Sequence, residues 1–369
     1  MTGIISPTPR VRSSPYYEAT LAEGADSFTV YNHMLMPGGF GDPEDEYWRL
    51  IEGVSMWDVA AERQVQLKGP DAAVLAQALA PRQVAHQEEG MGWYVPICDH
   101  RGVLQNDPIL LKLSEDRFWL SIADSDVRLW ALAVAGERGL DVEVSEPDVS
   151  PLAVQGPKAE DVIASIFDES VRSMGYFRFR EFSLGDIPVM LARSGWSKQG
   201  GFEIYLMDGA CGTDLWNIVK EAGQPFGIGP GTPNQIERIE SGLLSWGGDT
   251  DENTNPFEVR MTKFVDLDCP DDTIGIKALR RIKEEGVKRH QLGVVLQIDG
   301  QLTYMNGRGK VFANDAYAGL LTATTTSRRM QKNIGIMLVS RDVKVGDPVL
   351  LELPDGRTCD GEAVKLPFI

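Results

Sequence analysis

The sequence predicts an α+β fold in which two related strand-and-helix units surround a central cleft and a small antiparallel β domain follows. Three observations lead to this prediction. Residues 64–79 and 152–167 share the order strand, Gly-Pro, Ala-rich helix. The segments after each of them again alternate between strand and helix. From about residue 290 the pattern changes to short β segments separated by turns, which is typical of a separate domain.

An internal repeat is the reason for expecting two related sheets. Residues 64–68 form a predicted strand that runs into a helix at 71–79, with Pro70 between them. Proline suits the first position of a helix, because that position needs no N–H donor. Residues 152–167 repeat this order around Pro157. Two such units predict a pseudo-symmetric pair of sheets with a cleft where they meet.

The remaining parts of the two copies also correspond in order. The first copy continues through strands at 108–113 and 117–122 and a helix at 126–136, and the second through strands at 187–192 and 201–206 and a helix at 213–222. If the two units form a pseudo-symmetric pair, the loop before Pro108 and the loop before Phe202 are expected to occupy comparable places. Both loops are therefore expected to face the central cleft.

Two further helices are predicted before the β domain. Residues 234–246 carry apolar side chains at helical spacing, namely Ile236, Ile239, Leu243 and Trp246. A second helical segment covers 274–288. Because apolar residues at this spacing usually pack into a core, the first helix is interpreted as structural.

The C-terminal region predicts a small antiparallel barrel or sandwich over residues 290–369. A turn is predicted at Asn306-Gly307. The β segments are at 292–298, 310–313, 319–325, 334–339 and 349–353.

These patterns divide the chain into four predicted parts. Residues 1–53 form an N-terminal arm with the first elements, and residues 54–150 form the first half of a central body. Residues 151–289 form its second half, and residues 290–369 form the β domain. A chain of 369 residues is longer than one ordinary core, which agrees with more than one domain.

Composition and charge limit the partners of the chain. It is 43% hydrophobic and 24% charged, and it contains no apolar run of the roughly 20 residues that span a bilayer. A formal charge of -18 argues against nucleic acid and anionic membranes as partners, because these require clustered Lys and Arg. The N-terminus lacks the apolar core of a signal peptide, so the cytoplasm is the expected location.

Cysteine and histidine spacing indicates neither a disulfide framework nor a metal site. The four cysteines include no Cys-x-x-Cys pair, and the four histidines lack the spacing of metal ligands. The loop that starts at Asp249 begins like a calcium loop, but Thr254 and Arg260 replace the required Gly and Glu. We therefore expect reduced thiols and no metal.

Residues 193–205, Arg-Ser-Gly-Trp-Ser-Lys-Gln-Gly-Gly-Phe-Glu-Ile-Tyr, combine a flexible turn with reactive side chains. The turn at 200–201 consists of two glycines, and a strand follows it. Strand alternation places Phe202, Ile204 and Leu206 on one face and Glu203 with Tyr205 on the other. A carboxylate and a phenol then share a face beside the loop. A solvent-exposed hairpin with a packed indole is the alternative interpretation.

Two more segments carry candidate functional groups. Asp107, in Asn106-Asp107-Pro108, precedes an apolar strand, where a carboxylate is often only a turn residue. The segment Tyr31-Asn-His-Met-Leu-Met-Pro mixes aromatic, imidazole and thioether groups. Its methionines, Met34 among them, are usually core residues. Neither segment identifies a ligand by itself.

Together these segments resemble the folate-binding methyl- and aminomethyltransferases, the family of the glycine cleavage T-protein. The loop at 193–203 and the segment at 31–37 are most similar to the dimethylsulfoniopropionate demethylase branch. The resemblance covers most of residues 5–260 and is only general over the last 80 or so. It implies a T-protein-like fold, a central folate cleft, tetrahydrofolate as cofactor and a small-molecule methyl donor. A homodimer is compatible with it.

The resemblance also implies roles for individual residues. Asp107 would reach the reactive pterin nitrogen, and Glu203 would accept hydrogen bonds from the pterin edge. Asp107 and Tyr205 are the implied catalytic residues. The folate-binding set is Tyr94, Asp107, Ser121, Gln155, Phe177, Trp196, Glu203 and Tyr205, and the set for the methyl donor is Tyr31, Met34, Trp196 and Lys198.

The implied reaction transfers a methyl group from dimethylsulfoniopropionate to tetrahydrofolate, giving 5-methyltetrahydrofolate and methylmercaptopropionate. Three alternatives remain open. The donor is another sulfonium, N-methyl or O-methyl compound, or the chain is a glycine cleavage aminomethyltransferase, or it binds folate without methyl transfer. The T-protein pattern has an Arg where this chain has Asn234, which argues against the aminomethyl reaction.

Overall fold

The computed structural model describes residue 8, residues 10–303 and residues 307–369. Contacts divide the chain into two compact units, each made of separated pieces. One unit contains Met1–Ala76, His86–Trp93 and Pro108–Asn234, and the other contains Gln77–Ala85, Tyr94–Asp107 and Gln235–Ile369. The four-part division by chain position stays a prediction. Chain order does not predict these units, because short segments near residues 80 and 100 group with the C-terminal third.

The helices among the described residues are short. They are α1 Tyr17–Ala22, α2 Pro43–Glu52, α3 Ala72–Leu79, α4 Val127–Arg138, α5 Ala159–Ile166, α6 Gly212–Gly223, α7 Gln235–Glu240 and α8 Ile276–Glu285. Within the described part of the chain, none of them has both the length and the apolar character needed to cross a membrane.

The strands are numbered in chain order. They are β1 Ser27–Tyr31, β2 Met34–Gly39, β3 Ser55–Asp58, β4 Gln64–Lys68, β5 Met91–Tyr94, β6 Ile97–Cys98, β7 Leu104–Asn106, β8 Ile109–Ser114, β9 Arg117–Ser121, β10 Glu143–Ser145, β11 Ser150–Gln155, β12 Phe179–Leu184, β13 Ile187–Ala192, β14 Gly201–Leu206, β15 Gly229–Gly231, β16 Arg289–Gln297, β17 Gly309–Ala313, β18 Ala316–Ser327, β19 Lys332–Ser340, β20 Pro348–Glu352 and β21 Thr358–Val364.

Two sheets of the first unit confirm the predicted repeat. One has the strand order β10-β4-β9-β8-β5, and the other has the order β12-β13-β14-β11-β3-β15. The antiparallel trio β4-β9-β8 corresponds to β11-β14-β13, with the same order and the same chain sequence of strands. The prolines of the repeat, Pro70 and Pro157, lie two residues before the first helical residue instead of at it.

The predicted equivalence of two loops is wrong. In the sheet order, β8 corresponds to β13, so the loop before Pro108 corresponds to the turn before β13. The loop before Phe202 precedes β14, which is the counterpart of β9. The segments 108–113 and 187–192 hold the same place in the two copies, so the order of strands along the chain already separates these two loops.

The second sheet of this unit has an apolar layer on each face. Phe202, Ile204 and Leu206 of β14 pack in one core with residues of α5 and α6. On the opposite face, Tyr205 packs with Trp119 of the first sheet. Alternation along β14 was therefore predicted correctly, and the face that carries Glu203 and Tyr205 is turned toward the neighbouring sheet.

The C-terminal region forms a closed barrel in the order β16-β19-β18-β17-β20-β21, which decides between barrel and sandwich. The last strand, β21, was not predicted, although Cys359, Gly361 and Ala363 alternate inward along it. This strand pairs with both β16 and β20 and so closes the barrel. The predicted turn at Asn306-Gly307 includes a residue outside the described ranges.

The helix predicted over 234–246 is shorter than expected. It is α7, and it ends at Glu240. Gly242 follows with a φ of 59°, a left-handed conformation that stops helices. Leu243 still donates its N–H to the carbonyl of Arg238 at 2.9 Å, which completes the cap. Apolar residues continue at helical spacing beyond Glu240, as at Leu243 and Trp246. The spacing alone therefore does not predict where the helix ends.

Candidate folate site and family

The Glu203 carboxyl is buried in the first unit and is held by two hydroxyls. Ser194 donates to its Oε2 at 2.5 Å, and the phenol of Tyr205 donates to the same oxygen at 3.2 Å. Only 6% of the residue is exposed. Burial raises the pKa of Glu203, while the bonds from Ser194 and Tyr205 lower it. Glu203 is thus a buried acceptor whose charge depends on these partners.

Tyr205 is enclosed on the same face. Its residue is 1% exposed, and its ring lies 6.5 Å from that of Trp119. Burial, together with the charges of Glu203 and Glu62, raises its pKa well above the usual value, whereas a hydrogen bond from Ser121 lowers it. The phenol therefore stays neutral and donates to Glu203. The observed partner of the Tyr205 hydroxyl is therefore the Glu203 carboxyl, and its predicted contact with folate stays a prediction.

Gln155 stabilises the loop that carries the sequence motif. Its Nε2 donates to the carbonyl of Ser194 at 3.0 Å, and its Oε1 accepts from the hydroxyl of Ser197 at 2.8 Å. Gly195 and Gly201 lie against this amide so closely that a Cβ on Gly195 would come within 2.0 Å of its Nε2. Because Gln155 is fully engaged by the loop, the observed contacts give it a structural role. Its predicted folate contact stays a prediction.

Arg193 and Phe177 fix the same loop from another side. Arg193 forms an ion pair with Glu160 at 2.8 Å, and its guanidinium lies 5.4 Å from the ring centre of Phe202. Phe177 has a φ of 63°, which is unusual for a bulky residue, and its N–H donates to the carbonyl of Arg193 at 2.8 Å. Its ring lies 4.3 Å from the exposed ring of Tyr176.

The residues predicted to bind the methyl donor differ in exposure. Trp196 and Tyr31 are half-buried, and Lys198 is exposed. Met34 is buried in the core with Tyr31 packed against that core. The structure therefore favours a packing role for Met34, because its thioether is enclosed by apolar side chains.

In the second unit, Asp107 and Tyr94 form a direct pair. The Tyr94 hydroxyl donates to Oδ2 of Asp107 at 2.5 Å, and the Tyr94 ring meets that of Phe264 edge-on at 4.8 Å. Burial raises the pKa of Asp107 to about 7, with the hydrogen bond from Tyr94 lowering it and the charge of Asp249 raising it. Near neutral pH this carboxyl exists in both protonation states, which suits a general base.

Asp249, whose charge affects Asp107, belongs to a buried ion pair. Arg238 donates to Oδ2 of Asp249 at 2.7 Å, and both side chains are almost completely buried. Thr322 donates its hydroxyl to the other oxygen at 2.8 Å. Arg238 therefore has a structural role as the buried partner of Asp249. These contacts involve both carboxyl oxygens of Asp249, the first residue of this loop.

The structure brings the predicted residues together in two groups. Within the first unit, Ser121, Glu203 and Tyr205 are linked by hydrogen bonds. Within the second unit, Tyr94 and Asp107 are linked. The expectation that Asp107 and Glu203 contact one pterin stays a prediction.

Sequence reasoning did not identify three residues that contact the predicted site residues. Ser194 bonds to Glu203, Gln64 bonds to Ser121, and the ring of Tyr176 contacts Phe177. Ser194 lies in the segment 193–205 together with Glu203, so the sequence already places the two residues close together in the chain. Gln64 carried no such signal, because its contact joins strands 57 positions apart.

The buried carboxyl of Glu203 fits a reduced pterin. The pterin edge presents an amino group and ring N–H donors, and an ionised carboxylate accepts from such donors in strong hydrogen bonds. A ligand that offers these donors would favour the ionised form of Glu203, which burial alone disfavours. The predicted role of Asp107 at the reactive nitrogen stays a prediction. No cluster of metal-binding side chains occurs among the described residues, and the four cysteines are free thiols.

Comparisons with known proteins agree with this chemistry. The family model of the GCVT N-terminal domain matches residues 16–269. The dimethylsulfoniopropionate demethylase of Ruegeria pomeroyi is 40% identical over 95% of this chain and 96% of its own length. An aminomethyltransferase of Thermotoga maritima is 27% identical over 97% of this chain and 98% of its own.

One solved structure supports the fold. The glycine cleavage system aminomethyltransferase T of Bartonella henselae superposes with a TM-score of 0.83, at 22% identity, over 97% of this chain and 98% of that one. The match of the family model over most of the chain, together with the demethylase relative, assigns the family directly. The chain belongs to the folate-binding aminomethyltransferase family of the glycine cleavage T-protein.

Proposed function

We propose that this chain is a tetrahydrofolate-dependent demethylase that transfers a methyl group from dimethylsulfoniopropionate to tetrahydrofolate. The products are methylmercaptopropionate and 5-methyltetrahydrofolate. The support is the relative of that activity, which is 40% identical along nearly the whole chain. The observation that carries the chemistry is the Asp107 carboxyl, whose pKa is raised to about 7.

The reaction requires a place for one proton. Tetrahydrofolate supplies N5, the nucleophile that accepts the methyl group. The carbon–sulfur bond breaks with its electron pair remaining on sulfur, so the sulfonium becomes a neutral sulfide. One proton leaves the nitrogen, and the ionised Oδ of Asp107 accepts it. A carboxyl with a pKa near the working pH is well matched to this step.

Tyr94 and Glu203 orient the reacting groups. Tyr94 holds Oδ2 of Asp107 through the 2.5 Å hydrogen bond and so orients the carboxyl that accepts the proton. Glu203 binds the pterin edge, and Ser194 and Tyr205 hold its carboxyl in place. Tyr205 is a positioning residue in this proposal. Alignment of donor and acceptor is the main catalytic contribution, since the sulfonium methyl is already activated.

The methyl donor requires a surface for a cation and a group for its carboxylate. The half-buried ring of Trp196 provides an aromatic face for the sulfonium, and Tyr31 provides a second ring. Lys198 is the cation assigned to the carboxylate. Phe177 packs against the rings of the folate, and Ser121 acts through Tyr205.

Partners and cellular location follow from the proposed reaction. Its partners are a small-molecule methyl donor and folate, and it works in the cytoplasm. A homodimer is compatible with this function.

The test is incubation of the purified protein with tetrahydrofolate and dimethylsulfoniopropionate under anaerobic conditions. We expect 5-methyltetrahydrofolate and methylmercaptopropionate in equal amounts, measured by liquid chromatography and mass spectrometry. Parallel reactions contain other sulfonium, N-methyl and O-methyl compounds. Faster transfer from one of these would replace the proposed donor. The variant Asp107→Ala should remain folded and lose turnover, and unchanged turnover would refute its role.

One further reaction and one binding measurement distinguish demethylation from the other two candidate functions. An aminomethyltransferase would require an aminomethylated lipoyl carrier protein and would release ammonia. Activity only with that carrier would overturn demethylation. Tight folate binding without turnover of any donor would indicate a folate-binding module instead.

A further inference from the structure

We propose that Gln64 is a positioning residue that fixes the orientation and charge of the Glu203 carboxyl through Ser121 and Tyr205. The four side chains form one buried series between the two sheets of the first unit. Gln64 on β4 lies opposite Ser121 on β9, and Tyr205 and Glu203 both belong to β14. The role of Gln64 in folate binding rests on the proposed function, whereas the series itself does not.

The hydrogen bonds along this series all point toward Glu203. Nε2 of Gln64 donates to the Ser121 hydroxyl at 3.0 Å. Ser121 then has its proton free to donate to the phenol oxygen of Tyr205. The phenol donates to Oε2 of Glu203 at 3.2 Å, where the Ser194 hydroxyl also donates. A series with this polarity stabilises the ionised carboxylate.

A backbone carbonyl fixes the donor-to-acceptor direction of these hydrogen bonds. Nε2 of Gln64 also donates to the carbonyl oxygen of Glu62 at 2.8 Å, and a carbonyl can only accept. The amide therefore cannot rotate by 180° without losing that bond. Reversal would make Ser121 donate to Gln64, and Tyr205 would then donate to Ser121 instead of Glu203.

This arrangement leaves the oxygen of the Gln64 amide without a hydrogen bond. Oε1 of Gln64 is buried and has no hydrogen-bond partner among the described residues. An unpaired buried acceptor is unfavourable, so the two donor bonds of Nε2 must hold the amide in place. The neighbouring Gln66 differs, since its Oε1 accepts from both Trp119 and Arg117. In the described part of the chain, the hydrogen bonds of Gln66 join it to Trp119, Arg117 and Ser145 instead of to Ser121, Tyr205 or Glu203.

Two titratable groups affect the series among the described residues. The charge of Glu62 raises the pKa of Tyr205, and the charge of Glu203 raises the pKa of Tyr176. The hydroxyls of Ser194 and Tyr205 are the side-chain donors that lower the pKa of Glu203. The ionised form of Glu203 is therefore controlled mainly by Ser194 and by the series that starts at Gln64.

The direct test measures the Glu203 carboxyl in the ligand-free protein. The ¹³C chemical shift of labelled glutamate carboxyls is followed against pH, and the Glu203 signal is assigned by its loss in Glu203→Gln. We expect the titration midpoint to move to higher pH in Gln64→Leu and in Gln64→Glu, since neither can donate to Ser121. The matched control Gln66→Leu should leave the midpoint in place. An unchanged midpoint in Gln64→Leu, or an equal shift in Gln66→Leu, would overturn the proposal.

A double variant tests whether Gln64 acts on Glu203 through Tyr205. In a Tyr205→Phe background the series is already broken, so Gln64→Leu should cause no additional shift. An additional shift of similar size would show that Gln64 acts by another route, and the proposal would fail. If Gln64→Leu does not fold, as judged by thermal melting, Ser121→Ala carries the same test.

Folate binding provides a second readout. At pH 7 we expect tetrahydrofolate to bind Gln64→Leu about tenfold more weakly, because the hydrogen bond that supports the Glu203 carboxylate through Ser121 and Tyr205 is lost. Equal affinity for the variant and the original protein would overturn the link from Gln64 to the ligand. If the original protein binds no folate, the proposed function fails, whereas the carboxyl titration still decides the role of Gln64.

Discussion

The Tyr94 hydroxyl donates a 2.5 Å hydrogen bond to the carboxyl of Asp107. This bond opposes the effect of burial, which raises the pKa of Asp107 to about 7. Without the bond, protonated Asp107 would persist to higher pH. The pair therefore tunes the only step of the proposed reaction that moves a proton.

Replacement of Tyr94 by Phe should shift the acidic limb of the pH profile upward. Asp107 must be ionised to accept a proton, so kcat/KM should rise through pH 7 in the original protein and at higher pH in the variant. Below pH 7 we expect a loss of about tenfold, the size of a hydrogen bond to a charged group. Steady-state kinetics over a pH series measures this. Tyr317→Phe, on the barrel, should leave the profile unchanged, and a profile identical in both variants would contradict the prediction.

Replacement of Asp107 by Asn should separate activity from stability. Loss of a general base reduces turnover by about 10²- to 10⁴-fold. The folded-state pKa of Asp107 lies above its unfolded value, so its contribution to stability is present at low pH and is lost as pH rises through about 7. The Asn variant should therefore melt at an equal or higher temperature than the original protein at pH 8. A lower melting temperature there would show that the charge stabilises the fold.

Replacement of Gly195 by Ala should disrupt the motif loop. Its φ is 144°, and an added Cβ would lie within 2.0 Å of the Gln155 amide. We expect a loss of about 2 kcal/mol or more in the free energy of unfolding. Gly200 is the matched control, because it also has a positive φ but has open space at the Cβ position. Urea titration compares them, and an equal cost for both would mean that contact with Gln155 is unimportant.

Replacement of Arg238 by Met should destabilise the second unit. The change leaves the buried carboxylate of Asp249 without its charged partner at 2.7 Å. Removal of one member of such a pair costs about 3–5 kcal/mol. Chemical denaturation measures the effect. Replacement of the exposed Arg357, which pairs with Asp355 on the surface, should cost about 1 kcal/mol or less.

Replacement of Lys198 by Met tests the carboxylate of the methyl donor. If Lys198 binds it, the KM for dimethylsulfoniopropionate should rise about tenfold, while the KM for tetrahydrofolate and the melting temperature remain unchanged. The exposed Lys68 provides a control substitution. An unchanged KM for the donor would assign its carboxylate to another group.

Several features were determined by the sequence itself. The repeat predicted paired sheets, and alternation in β14 placed Glu203 and Tyr205 on one face. The motif at 193–205 indicated the family that the comparisons then established. Each of these signals is local: it depends on the period of one strand or on a short run of neighbouring residues.

Other features were decided only by tertiary structure. The partners of Asp107, Glu203 and Gln64 come from distant strands or loops, and their pKa shifts depend on burial. The closure of the barrel by β21 depends on pairing with β16, more than sixty positions away in the chain. The period of a sequence reports which face of an element is apolar. It does not report which other element will cover that face, and burial by that element sets the charge and hydrogen bonding of a site.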